Sequence, residues 1–141
     1  MATNRERFEE FYQKNKGFTA FYGALANMLE LSGSEFAIFY TINAYGEGCA
    51  QRDVCELCML SKQTVSSGID SMEEKGYVTL KAGKGRLLEI YLTNKGRKVM
   101  DEKIALVSAA EDRAYAKLSK NEQEELNRLM GKFLDALHGN A

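Results

Sequence analysis

A chain of 141 residues with 45% apolar and 28% charged side chains can bury a hydrophobic core of its own and has the balance of a globular domain. It has no apolar run of about 18 residues, and its start, MATNRERFEEF, lacks the apolar segment of a secretory signal. A membrane-spanning protein is excluded and a cytoplasmic location is expected. The net charge of −1 is unevenly spread: −2 over residues 1–48, +3 over 49–100 and −2 over 101–141, a basic middle between acidic flanks that suits a nucleic-acid contact inside a neutral body.

The absence of proline favours long uninterrupted helices. Phe8, Phe11, Asn15, Phe18, Tyr22, Leu25 and Leu29 recur at steps of three and four, the seam of a long packed helix. Such an aromatic seam suits a second helix of similar length, such as one from another subunit. Ser32 followed by Glu35 is a capping box that opens a helix near Gly33, with Phe36, Phe39 and Ile42 on one face and Gly46 or Gly48 as the stop.

Gln51 to Cys58 reads as a short helix, Met59-Leu60 as a turn, and Ser61 as the cap of a second helix. In that helix Val65, Ile69 and Met72 face inward, Lys62, Gln63, Ser66, Ser67 and Asp70 face outward, and Gly76 ends it. The period then changes to that of strands: YVTLKA and RLLEIYL flank Gly83-Lys84-Gly85, a hairpin with a basic tip. Helical spacing returns after Thr93 until about Ala116. Ser119 with Glu122 then caps a last helix carrying Leu126, Met130, Phe133 and Leu137.

This order of elements is that of a winged helix: mainly α with a small β-hairpin (α+β), and helices at both ends. The residues resemble the MarR family of bacterial transcription regulators along nearly the whole chain. LSGSEFAIFYTI is similar to the opening of that family's second helix. Ser61-Lys62-Gln63-Thr64-Val65 and Met72-Glu73-Glu74-Lys75-Gly76-Tyr77 resemble its helix-turn-helix signatures, and IYLTNKGRKV resembles the exit from its wing.

The resemblance implies one MarR-like domain over 1–141, with a winged helix-turn-helix lobe at 32–98 and a dimerisation lobe formed by 1–31 and 99–141. It implies a homodimeric repressor whose two reading helices enter successive major grooves of a pseudo-palindromic operator in double-stranded DNA. On the reading helix, Ser61, Lys62, Gln63, Thr64, Ser66 and Ser67 supply donors and acceptors for bases and phosphates, Gln63 being suited to a bidentate pair with adenine. Ser67 stands where many relatives carry arginine, so recognition leans more on DNA shape. The tip AGKGR is shorter than the relatives' wing, which makes Lys84 and Arg86 phosphate contacts. The family also implies a small aromatic or amphipathic ligand that releases the DNA, with Phe18, Tyr22, Phe39 and Tyr40 near its pocket.

Cys55-x-x-Cys58 admits other readings. A pair at i, i+3 on a helix has Cβ atoms about 5–6 Å apart, whereas a disulfide needs about 3.8 Å. A zinc site needs a fourth ligand, and the one histidine, His138, lies near the C-terminus. Core packing of Cys49, Cys55 and Cys58 is the first reading, because the resemblance places all three where relatives carry apolar residues. A thiol or redox switch at Cys55 or Cys58 is the second, and a winged-helix module that binds a protein partner instead of DNA is a third. No metal, cofactor or enzymatic activity is expected, because no nucleophile–histidine–acid set or phosphate-binding loop can be assembled.

Overall fold

The computed structural model describes residues 1–85 and 87–139. They form two compact units, 1–104 and the segment from 105 onward.

The first unit begins with α1 (Asn4–Met28), where Thr3 Oγ1 accepts the Glu6 N–H and the Glu6 carboxylate accepts the Thr3 N–H at 2.7 Å. The predicted seam of α1 is only partly covered: Ala26 is its one buried residue, while Phe11 and Phe18 are exposed. Next is α2 (Gly33–Tyr45), opened by the expected Ser32–Glu35 box and ended at Gly46. It is the centre of the unit, with Phe36, Ala37, Ile38, Phe39, Thr41 and Ile42 all buried. The Thr41 hydroxyl stays satisfied by donating to the Ala37 carbonyl at 2.8 Å.

After α2 the chain forms a two-residue strand, β1 (Cys49–Ala50), which period-based reading does not detect. Helices α3 (Gln51–Cys58) and α4 (Lys62–Glu74) follow. Strands β2 (Val78–Ala82) and β3 (Leu88–Leu92) make the expected hairpin, with Val78 opposite Leu92 and Ala82 opposite Leu88. β1 adds to the other side of β3, Cys49 facing Ile90, so the antiparallel sheet has the order β1-β3-β2. Its inner residues, Cys49, Val78 and Ile90, join Val54, Val65 and Met72 in the buried core. Helix α5 (Asn94–Val99), capped by Thr93, leads into a π-helical turn at Met100–Ile104.

The second unit holds α6 (Ala105–Tyr115) and α7 (Lys120–Leu137). The Ser119–Glu122 box starts α7, and the Gln123 side chain donates to the Tyr115 carbonyl at 2.9 Å. No described residue of α7 is buried; its seam residues Leu126, Met130, Phe133 and Leu137 are 36–66% exposed.

Candidate nucleic-acid interface

The first turn of α4, like that of the short α5, lacks the acid found in those of α1, α2, α3 and α7. In α1, α2, α3 and α7 a carboxylate (Glu6, Glu35, Asp53 or Glu122) closes back on the backbone ahead of the helix and neutralises its positive end. The first turn of α4 holds no acid, and Lys62 stands at its start. Its partial positive charge is left for an anion from outside.

Side chains sharpen this picture. Ser61 Oγ accepts the Thr64 N–H at 3.1 Å and donates to Thr64 Oγ1 at 2.8 Å. Ser61 is thereby occupied within the turn, and its direction of donation leaves Thr64 as the hydroxyl with a proton to offer outward. Lys62, Gln63, Ser66, Ser67 and Asp70 are exposed on one face, while Val65, Gly68, Ile69 and Met72 are buried on the other. The buried face needs a glycine. A Cβ at Gly68 would come within 2.8 Å of Ser34 Cβ and 3.1 Å of Ile38 Cδ1, where α4 crosses α2.

Both ends of α4 are tied down by contacts that sequence patterns did not single out. Gln51 Nε2 donates to the Lys62 carbonyl at 2.8 Å, joining the start of α3 to the start of α4. At the far end Gly76 adopts φ +79° and the Tyr77 N–H returns to the Met72 carbonyl at 2.8 Å. Lys95 Nζ then donates to the Lys75 carbonyl at 2.9 Å, and Lys75 Nζ meets the Glu35 carboxylate at 2.7 Å.

Glu35 is only 2% exposed. Burial alone would raise its pKa, but the hydrogen bonds from Lys75 and Ser32 outweigh that and hold it below the usual carboxylate range. A lowered folded-state pKa means that the stabilisation is complete above the unfolded value of about 4.3 and is lost as pH falls through the folded value. Glu35→Gln is therefore expected to cost about 1–2 kcal/mol at pH 7, the lower part of the range for charged hydrogen bonds because Lys75 is half exposed. Urea titrations across the acid range should show wild type and variant converging as Glu35 itself becomes protonated.

At the wing, the Gly83 N–H donates to the Leu87 carbonyl at 2.8 Å and Gly85 takes φ +71°, leaving Lys84 exposed at the tip. Arg86 lies outside the described residues. Lys81 is turned onto the sheet, its Nζ 4.6 Å from the centre of the Tyr91 ring, and the Tyr91 hydroxyl donates to Glu89 at 3.0 Å. Lys84 is thus the described tip cation, above a base that carries Glu89.

The other expected residues divide. Phe18, Tyr22 and Tyr40 line a cavity of about 540 Å³, with Phe36, Leu57 and Cys58 also in its wall. Tyr22 and Tyr40 meet edge to face with ring centres 6.0 Å apart. Phe39 does not line this cavity. On the all-round buried helix α2 it is fully buried elsewhere, with its ring 5.6 Å from that of Tyr77.

All three cysteines are free. Cys49 is buried as expected, and burial, with help from Asp53, pushes its thiol up to about 11. Cys55 and Cys58 are half-buried, less than core packing implied. Burial also raises the Cys58 thiol, whose Sγ lies 3.7 Å from the Ala37 carbonyl, which disfavours the reactive thiolate.

Residues 29–86 match the family model described as MarR family. The protein YwaE of Bacillus subtilis (strain 168), an uncharacterized HTH-type transcriptional regulator, is 28% identical over 110 residues, 77% of this chain and 64% of that one, so less than two thirds of the relative's length is matched. Among solved structures, the MarR family regulator NMB1585 from Neisseria meningitidis superposes with a TM-score of 0.82 at 17% identity, over 94% of both chains. The S. aureus MepR–DNA complex gives 0.64 at 19% identity, over 97% of this chain and 99% of that one. The Mycobacterium tuberculosis MarR family protein Rv2887 with salicylic acid gives 0.62 at 23% identity, over 94% and 97%. The MarR family signature thus lies in the segment that builds α2, α3, α4 and β2, and the fold around it is the winged helix-turn-helix of the MarR family structures that the chain resembles.

Proposed function

We propose that this protein is a sequence-specific DNA-binding transcriptional regulator of the cytoplasm, a repressor that sits as a homodimer on a pseudo-palindromic operator and is released by a small ligand. The observation that carries the DNA reading is the first turn of α4, free of acid and headed by Lys62, with Gln63, Thr64, Ser66 and Ser67 exposed beside it. A reader of the major groove needs such a helix end for phosphate and such a face for base edges. Lys84 at the wing tip adds a phosphate contact that carries no sequence information. MepR, with the same fold, is known bound to DNA.

Dimerisation is supported by the exposed apolar side chains of α1 and α7, which a second copy would cover in a lobe made of 1–31 and 99–141. The ligand part rests on the aromatic cavity and on the fold's occurrence with salicylic acid in Rv2887. A ligand acts here only by favouring a spacing of the two α4 helices that does not fit the operator.

Fluorescence anisotropy with DNA from upstream of the protein's own gene, against scrambled DNA and at two salt concentrations, tests the proposal. Tight, salt-sensitive and sequence-selective binding is expected. Gln63→Ala should weaken the cognate complex by about 1–3 kcal/mol and blur its preference over scrambled DNA. Equal and weak binding to both DNAs would point instead to a protein partner.

A further inference from the structure

The wall of the cavity restricts what can bind in it. It joins α1 through Phe18, Thr19, Tyr22 and Gly23, α2 through Phe36 and Tyr40, and the end of α3 with its following turn through Leu57, Cys58 and Leu60. No lysine, arginine, histidine, aspartate or glutamate is among the described residues that line it. Its polar groups are the hydroxyls of Thr19, Tyr22 and Tyr40 and the Cys58 thiol.

One feature that could attract an anion is already in use. Gly33, in the first turn of α2, borders the cavity. At that helix end the Glu35 carboxylate accepts the Ser32 N–H at 2.9 Å, and Ser32 Oγ accepts the Glu35 N–H at 3.1 Å. The positive end of α2 thus carries its own buried carboxylate, whose cation, Lys75, is held by it. A second anion brought beside it would lose its water and meet a like charge without a partner cation.

We propose that the cavity selects neutral aromatic molecules over aromatic carboxylates and sulfonates. This rests on the reading of the cavity as a ligand site, and separates this chain from a relative that holds an aromatic acid. Occupancy has a direct route to the reading head, because Leu57, Cys58 and Leu60 immediately precede Ser61, the cap of α4.

The test compares two fluorescent aromatic probes, neutral aminoanthracene and anionic anilinonaphthalenesulfonate, on the full-length protein and on Gly23→Leu. A Cβ at Gly23 would meet nothing within 4 Å, so leucine can enter the cavity without a clash at its first carbon, and it forms helix better than glycine. The neutral probe is expected to bind at least tenfold more tightly than the anion and to be displaced by Gly23→Leu. Thr19→Lys, which places a cation in the cavity wall, should close most of that gap. Anion binding as tight as that of the neutral probe, and equally sensitive to Gly23→Leu, would overturn the charge selectivity while leaving the ligand site standing. Binding of neither probe that responds to Gly23→Leu would overturn the ligand site itself.

Discussion

Phe39→Ala is expected to remove about 3–5 kcal/mol of folding stability, the usual cost of deleting a fully buried phenylalanine. The ring has no exposed surface and packs against Tyr77, the residue that links the end of α4 to the start of β2. Its loss opens a hole beneath the joint between the reading helix and the wing. Native domains hold only about 5–15 kcal/mol in total, so this one truncation takes a large share. Urea denaturation followed by circular dichroism measures it. The same variant separates core from pocket. If Phe39 lies outside the cavity, affinity for the neutral probe should be unchanged at temperatures where the variant remains folded. A loss of affinity at full folding would put the ring in the cavity wall. Tyr22→Ala serves as the counterpart, removing a wall residue that is half-buried and leaving the interior beneath the wing intact.

Phe39 also shows where sequence reading reached its limit. Periodicity placed it on the inner face of α2, correctly, but α2 is buried on nearly every side, and such a helix has no single inner direction. Phe36 and Tyr40 face the cavity while Phe39 faces the sheet side, and spacing alone does not separate them. The elements themselves were legible because their signals are local: the Ser32–Glu35 and Ser119–Glu122 boxes, the Ser61 cap and the stop at Gly76 each act within about one turn of helix. The inward Val65, Ile69 and Met72 and the outward Lys62, Gln63, Ser66 and Ser67 followed from the period of α4.

What escaped was non-local or too short. β1 is two residues long and exists only because Cys49 and Ala50 lie against Ile90 and Glu89, forty residues away. The π-helical turn at Met100–Ile104 leaves the helical period nearly intact and so has no pattern to betray it. Of the interface, the reading face could be named, but its fixing could not. Gln51 to Lys62, Lys95 to Lys75 and Lys75 to Glu35 are contacts between separate elements. Ser61 illustrates the finer point: its identity as a cap was plain, and the consequence, that its hydroxyl turns inward and leaves Thr64 the outward donor, needed the geometry.

Gly96→Ala is the other substitution with a large expected effect, a loss of about 3 kcal/mol or more, at or beyond the upper end of ordinary overpacking. A Cβ at Gly96 would sit 2.0 Å from the backbone oxygen of Tyr77, far inside any real contact. That oxygen cannot easily withdraw, since it accepts the Thr93 N–H at 3.0 Å and lies 3.2 Å from the Thr93 hydroxyl. Thr93 in turn caps α5, its Oγ1 accepting the Gly96 N–H at 3.0 Å. The glycine is thus required where the chain leaves β3 and passes behind the end of α4, and a methyl group there must break either the cap or the strand exit. Gly17→Ala is the control. It lies in α1, its added methyl meets nothing within 4 Å, and alanine there should gain about 0.5–1 kcal/mol by helix propensity and a less free unfolded chain. Chemical denaturation of the two variants should therefore move in opposite directions from wild type. A Gly96→Ala protein as stable as the parent would mean that α5 can shift off Tyr77 at little cost, and that the close approach is not what fixes the wing to the end of α4.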